Sequence, residues 1–395
     1  MQGHIHKRVR ATKDGRQTTT WYVVVDLTRG PDGRRRQKWH GGFRTRKEAE
    51  VARARLANEM HSGLYIEPSK VALHEWVESS WLPTMRSQVK PSTWDSYMRN
   101  LRLHVLPVLG SRTLRQITPL VLNGLYADLM AAGKQTRAGG GLAPKTVRYV
   151  HATLHKVLAD AVDSGLLQTN PADRARPPKP RVSRQREMRV WDAVQLAEFL
   201  AQVEGHPLQA AFHMAAMTGM RRGEGLGLRW HDVDLGAGRI AIRHTLVSVA
   251  YEVHDSTPKT HQARVVDLDP GTVEQLRAHL IRQARERDDW GPGYEESDLV
   301  FRREDGSLIH PDSFTQAFDA QVRRSGLPRI RLHDLRHTHA TIALRAGIPV
   351  KVISERLGHE NPAFTLKQYA HVLPGMQAEA AALIAALVTG PTPQS

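Results

Sequence analysis

The chain contains no cysteine. That absence excludes disulfide frameworks, cysteine-ligated zinc or iron–sulfur centres and thiol nucleophiles. Long hydrophobic runs are missing too, so no membrane span is expected. No charged segment leads into an apolar one at the start, so no signal peptide is expected and a cytoplasmic location is the default. There is no phosphate-cradling P-loop and no acidic cluster for paired magnesium ions, so nucleotide-driven and two-metal chemistry lack their parts. Negative charge is in short supply. Against 56 Lys and Arg stand 40 Asp and Glu, leaving +16 over 395 residues and a sequence pI of about 10.3. Such a surplus favours a polyanionic partner, most often nucleic acid, although it also serves plain solubility. At roughly 150 residues per domain, the length suits two or three domains.

The surplus gathers at the front. Residues 1–60 hold fifteen Lys and Arg against six acids, a net +9. This is not a basic tail, because it carries structural punctuation. Trp21–Asp26 (WYVVVD) reads as a strand, Arg29-Gly30-Pro31-Asp32-Gly33 as a turn cluster, and Arg35–Phe43 as the returning strand. Thr45-Arg46-Lys47-Glu48 reads as a capping box opening a helix to about Met60. The expectation for residues 1–66 is a small sheet backed by one helix. Arg34, Arg35, Arg36 and Lys38 are its DNA-facing candidates, since a β-ribbon can enter a groove. A merely solvated basic unit is the alternative.

Residues 70–172 carry a helical period. Leu73, Trp76, Val77 and Trp81 fall at helix spacing, and Pro91-Ser92-Thr93 opens a helix through Tyr97, Leu101 and Leu103. Pro119–Ala131 and Pro144–Ser164 follow, the latter with Val147, Val150, Leu154, Val157, Leu158 and Ala161 on one face. Lys134–Gly141 between them is a Gly-rich loop. Pro171–Arg189 has four prolines, seven basic residues and no apolar period. It reads as an extended linker, counted from residue 173 to 189, whose Arg181 and Arg184 can follow a phosphate backbone. Residues 190–395 mix helices with short strands at Arg239–His244, Arg264–Leu268 and Leu299–Arg302. The expected class is multidomain α+β. It comprises a small β-sheet-plus-helix amino-terminal domain, an all-α domain, and a mixed, mainly-α domain with a small antiparallel sheet.

Four stretches of the last domain make more sense together than apart. They are Thr218-Gly219-Met220-Arg221-Arg222-Gly223-Glu224, Pro258-Lys259-Thr260, His333-Asp334-Leu335-Arg336-His337-Thr338, and Leu357-Gly358-His359 with Tyr369 ten residues on. Singly, each is bland: an arginine-rich turn is usually solvated, and a late tyrosine usually packs. His333, His337 and His339 invite a zinc reading, but no glutamate stands at the metalloprotease position and no cysteine exists. As a set the stretches describe phosphoryl transfer without a metal. Two arginines hold non-bridging oxygens, a lysine protonates a departing alkoxide, histidines shuttle protons, and a tyrosine hydroxyl forms a covalent intermediate.

The order TGMRRGE, PKT, HDLRHTHAT and LGH…Y closely resembles the tyrosine recombinases, the phage lambda integrase-like family. The resemblance covers nearly the whole chain. It implies an arm-binding-like front domain, a helical core-binding domain and a catalytic domain.

It further implies that Arg221 and Arg336 clamp the scissile phosphate and that Lys259 is the general acid for the leaving 5′-hydroxyl. His333 would act as acid/base on the nucleophile and His359 would hydrogen-bond the phosphate. Tyr369 would attack to leave a 3′-phosphotyrosyl link, with Glu224 supporting Arg221. Two adjacent arginines follow TGM, and family register favours Arg221 over Arg222. His337 and His339 are expected to pack or be solvated.

The implied function is a site-specific integrase of a phage or integrative element, working as a homotetramer on double-stranded attachment sites. No cofactor or metal is expected. A directionality factor and a DNA-bending protein are candidate accessory partners. The apolar stretch Met376–Val388 would be a carboxy-terminal helix docking on a neighbouring protomer or on its own domain. A type IB topoisomerase-like relaxing enzyme and a catalytically silent DNA-binding regulator are the competing readings.

Overall fold

Alternation in the front segment produces a sheet. β1 (His4–Ala11), β2 (Gln17–Leu27) and β3 (Arg36–Phe43) form an antiparallel sheet in that order. The structure, a computed structural model, describes residues 4–11, 17–27, 36–61, 70–134, 139–179, 188–258 and 263–369. Near the end it also describes 381, 382, 384–386 and 388. Val23 and Val25 of β2 pack with Ile5, Trp21 and Phe43 against Ala49 and Leu56 of the helix Arg46–His61. Half of the capping box forms: Glu48 N donates to Thr45 Oγ1 at 3.2 Å, while the Glu48 carboxylate accepts from Arg44 N at 3.0 Å, one residue before the cap. β1 is an addition to the sequence reading. Of its helix-facing residues Ile5 packs but Val9 stays exposed, so its apolar period is too weak to read.

Cross-strand partners share a face. Lys38, opposite Val25, therefore lies on the helix side. Arg8 pairs with Thr20, and His6 pairs with Tyr22, on the opposite face. There Trp39 packs edge-on against both His6 and Tyr22. Arg34, Arg35, Arg181 and Arg184 fall outside the described residues, as does the side chain of Arg36.

The helical segment folds as its spacing predicts. Two long helices run Leu73–Gln88 and Pro91–Leu109, each interrupted by a π-turn, at Val77–Trp81 and Leu101–Val105. Pro119–Ala132 and Pro144–Asp163 complete the core. Proline opens three of these helices at a position where its missing N–H costs nothing. The six residues assigned to one face of the last helix are all fully buried. One expectation is corrected: Pro171–Arg174 is a 3₁₀ turn seated on this core, not extended linker. Asn170 caps it by accepting from Ala172 N at 2.9 Å, Ala172 is buried, and Asp173 meets His155 at 2.8 Å.

The chain divides into two compact units, residues 1–181 and 182–395. The second is built on Trp191, Phe199, Phe212 and Phe318, whose rings pack at tilted and edge-on angles. A small antiparallel sheet runs β4 (Val233–Asp234), β5 (Arg239–Ile242) and β8 (Arg264–Asp267). A two-stranded ribbon, β6 (Thr245–Val249) with β7 (Glu252–Ser256), lies between the last two in sequence. The ribbon escaped the sequence reading because its turn, Ala250-Tyr251, takes positive φ (50° and 71°) without the usual Asn-Gly signal. Leu299–Arg302, expected as a strand, makes only isolated bridges, Leu299 to Arg229 and Arg302 to Leu308. Val300 and Phe301 are both buried, so the segment is held by packing instead of a ladder. Among the described residues, no helix is long and apolar enough to cross a membrane.

Candidate active site

The helix Gln209–Thr218 ends at Gly219, whose φ of 64° lies in the left-handed region. A Cβ there would sit 2.7 Å from Leu357 and 2.9 Å from His339, so glycine is required by both conformation and space. The chain then turns into the short helix Arg222–Leu226, with Arg221 at its cap. Arg221 N–H and Nη1 both donate to the Glu224 carboxylate, at 2.9 and 2.7 Å. Arg222 faces elsewhere. Its Nη1 meets Pro311 O, Asp312 and Thr315 at 3.1, 3.0 and 2.8 Å, which leaves Arg221 as the arginine turned toward the other motifs.

Glu224 is 1% exposed and also receives Arg264 through two bonds, at 2.6 and 3.1 Å. Burial alone would raise its pKa. The Arg264 hydrogen bond and charge, with Arg221, outweigh that and hold it at about 2. Arg264, at the start of β8, was not singled out in the sequence, where nothing marks an arginine opening a strand. Its Nε donates to Arg356 O at 2.9 Å, tying the carboxylate to the helix Val350–Leu357.

Arg336 lies on the helix Leu332–Arg345 and is 3% exposed. Its Nη1 donates to Gly219 O at 2.8 Å and its Nη2 to Leu357 O at 2.7 Å. Burial, with Arg221 nearby, pulls its pKa down to about 9. His333, one turn earlier, is exposed. Local desolvation and the neighbouring Arg336 hold its pKa below the ordinary imidazole range. Arg221 Nη2 reaches Gly358 O at 3.4 Å, and Gly358 ends its helix in the left-handed conformation. His359 follows, its Nδ1 bonded to Thr365 Oγ1 at 2.7 Å, with a pKa pushed down to about 4 by burial and by Arg336.

Tyr369 closes the helix Pro362–Tyr369 and is 1% exposed. Its hydroxyl shares a 2.8 Å hydrogen bond with Nδ1 of His337. Burial raises the phenol pKa to about 12, against the pull of Arg336. Burial and His333 together push His337 to about 4, so it is neutral near pH 7. The histidine expected merely to pack or be solvated is thus the one that meets the tyrosine. His339 packs, its Nδ1 donating to Ala216 O at 3.1 Å. Arg221, His333, Arg336, His359 and Tyr369 are brought together, with Glu224 behind them. Lys259 lies outside the described residues, between β7 and β8.

Residues 187–375 match the phage integrase family, 73–130 the phage integrase N-terminal SAM-like domain, and 9–60 an arm DNA-binding domain. A tyrosine recombinase XerC-like protein of Caldanaerobacter subterraneus is 27% identical over 392 residues, covering 95% of this chain and 97% of that protein. The ICEBs1 integrase of Bacillus subtilis is 25% identical over 341 residues, covering 85% and 89%. The fold matches that of the Tn1549 transposon integrase in complex with transposon right end DNA. The TM-score is 0.64 at 19% identity, covering 80% of this chain and all of that one. A lambda integrase tetramer bound to a Holliday junction gives a TM-score of 0.54 at 18% identity, covering 90% and 96%.

Two arginines and a buried tyrosine hydroxyl are gathered in a mainly helical α+β unit, and the family matches make the protein an enzyme of DNA recombination. The chain belongs to the tyrosine recombinase family, in its phage integrase branch. The topoisomerase-like and silent-regulator readings give way to this one.

Proposed function

We propose that this recombinase integrates and excises a phage or integrative element by cutting and rejoining DNA at attachment sites through Tyr369. The observation that carries the reading is the Tyr369 hydroxyl, bonded to a neutral histidine and facing the Arg336 charge. Arg221 and Arg336 grip the non-bridging oxygens of the scissile phosphate and stabilise its pentacoordinate transition state. The phenol oxygen forms a bond to phosphorus as its proton passes to a histidine, and the bond to the 5′-oxygen breaks. Lys259 protonates that leaving oxygen. His333 handles protons at the nucleophile's side, His337 holds the hydroxyl, and His359 bonds the phosphate. One ester replaces another, so the 3′-phosphotyrosyl link retains the energy for rejoining to a different 5′-hydroxyl and no ATP is consumed.

The proposed division rests on the sequence pattern, and a matched segment falling largely within each of its three domains supports it. Residues 1–66 bind arm sites, 70–172 bind the core site, 173–189 link, and 190–395 catalyse, with the stretch to Val388 docking on a neighbour. Four strands exchanged in pairs call for a homotetramer on two duplexes, as in the lambda integrase complex with a Holliday junction. Arg8, on the sheet face away from the helix, joins Arg34, Arg35 and Arg36 as a groove candidate, and Arg181 and Arg184 are assigned to the backbone along the linker. A directionality factor and a DNA-bending protein would work with it in the cytoplasm.

The test is a suicide duplex nicked beside the exchange position. Wild-type protein should accumulate a covalent protein–DNA adduct, and Tyr369→Phe should give none. An adduct that persists in Tyr369→Phe sinks the assignment.

A further inference from the structure

Away from the active site, one cluster of the second unit has the make-up of a metal site. His231 and Asp232 lie on the 3₁₀ turn Trp230–Asp232, and His244 lies between β5 and β6. One ligating atom from each comes within 4.8 Å of the other two. The Asp232 side chain is 1% exposed. Its Oδ1 accepts from Arg243 at 2.6 Å, but among the described residues no hydrogen-bond donor reaches its buried Oδ2. That oxygen faces Nε2 of His231 across 3.7 Å, too far for a hydrogen bond. A buried carboxylate oxygen without a partner is unfavourable unless a positive charge meets it.

Both imidazoles are backed by carboxylates. Nδ1 of His231 bonds to Asp298, which is itself fixed where its carbonyl accepts from Trp230 N at 2.9 Å. This leaves Nε2 of His231 toward Asp232. Nδ1 of His244 lies 3.5 Å from Asp255, and Asp255 pairs with Arg229. A carboxylate behind each histidine orients the ring and makes its other nitrogen a better ligand. Asp232, Asp255 and Asp298 set three carboxylates against the two guanidiniums of Arg229 and Arg243, an excess of one for a cation to meet.

We propose that His231, Asp232 and His244 bind a single divalent ion of the zinc type, with water completing the coordination. Two imidazoles and one carboxylate are a donor set for zinc and its first-row neighbours, and they do not suit magnesium or calcium. Bonds of about 2.0–2.2 Å require the ligand atoms to close by roughly an ångström. The partly exposed rings of His231 and His244 can supply this by rotation. The ion would tie the Trp230–Asp232 turn to the root of the β6–β7 ribbon. It is a structural ion, separate from the strand-exchange chemistry.

The experiment uses the full chain, stripped with a chelator and titrated with Zn²⁺ by calorimetry, with Co²⁺ absorption as a second probe. One ion per chain should bind, with micromolar or tighter affinity and visible Co²⁺ bands of low-symmetry coordination. His231→Gln and His244→Gln should each weaken Zn²⁺ binding at least tenfold and abolish those bands. Asp298→Asn should weaken it about 10- to 100-fold. The melting temperature of each metal-free variant, matched to metal-free wild type, reports that the fold is intact. The chain has 21 histidines, so loose binding elsewhere is the competing outcome. Wild type without one-to-one binding, or undiminished binding in the folded His231→Gln and His244→Gln variants, overturns the proposal.

Discussion

Nδ1 of His337 and the hydroxyl of Tyr369 lie 2.8 Å apart, one turn of helix beyond His333. Because His337 is neutral down to about pH 4 and the phenol is protonated to about 12, the hydroxyl donates and the imidazole accepts. That geometry holds the oxygen in one orientation before DNA arrives. Replacing His337 by Ala should slow adduct formation by about 10²- to 10⁴-fold, the range for a positioned proton acceptor. It should also move the acid limb of the rate profile, which a purely packing role would leave in place. Single-turnover cleavage of the suicide duplex across pH 4–9 measures both.

Arg221 and Arg222 are neighbours with opposite fates. Arg221→Ala should abolish cleavage, because one of the two guanidiniums assigned to the scissile phosphate is lost. Arg222→Ala should leave the cleavage rate within a few-fold and lower the melting temperature, since its bonds go to Pro311, Asp312 and Thr315. Equal loss in both variants would refute the assignment of Arg221.

Glu224 links stability to acid. Its folded pKa of about 2 lies below the ordinary 4.5, so its contribution is complete above about pH 4.5 and is lost as pH falls toward 2. Glu224→Gln leaves two arginines sharing a neutral partner, and should cost about 3 kcal/mol at neutral pH. The gap from wild type should narrow below pH 4.5. Denaturant unfolding at several pH values checks the sign, and a gap that widens in acid would contradict it.

Gly358 combines a φ of 64° with crowding: a Cβ would lie 2.8 Å from Nη1 and 2.9 Å from Cζ of Arg264. Gly358→Ala should therefore destabilise by about 1–2 kcal/mol. It should also reduce cleavage, because displacing Arg264 unseats Glu224. Arg264→Ala should reproduce the catalytic loss without the backbone strain, which separates the two causes.

The front domain should govern salt dependence. Neutralising Arg34, Arg35 and Arg36 should lower the slope of log affinity against log salt by up to about 0.9 per lost phosphate contact. Deleting residues 1–66 should spare core-site binding and abolish integration that needs distal arm sites. Unchanged slope and integration would reduce this domain to a basic surface.

What could be read from the sequence was what periodicity and local spacing encode. The buried face of Pro144–Asp163 and the cap at Thr45 both depend on neighbours in the chain. The motif residues Arg221, Arg336 and Tyr369 were legible as a set because their chemistry has few other uses. Arg264 and His337 were not. The role of Arg264 depends on a carboxylate 40 positions earlier, and that of His337 on a hydroxyl 32 positions later. The ribbon β6–β7 was missed for a local reason, since its turn has neither glycine nor asparagine. The turn at Pro171 was missed because prolines and arginines masked a single buried alanine.

Among the described residues, Arg336 is held without a carboxylate of its own. Its two hydrogen bonds go to carbonyls where the helices Gln209–Thr218 and Val350–Leu357 end, the poles at which backbone dipoles leave partial negative charge. Backbone carbonyls orient a guanidinium without supplying an anion to neutralise it, and the carboxylate of Glu224 is already shared by Arg221 and Arg264. The protein therefore keeps one buried cation under-compensated. An arriving phosphate completes an electrostatic balance that folding leaves open, and pays with that attraction for stripping the water from both.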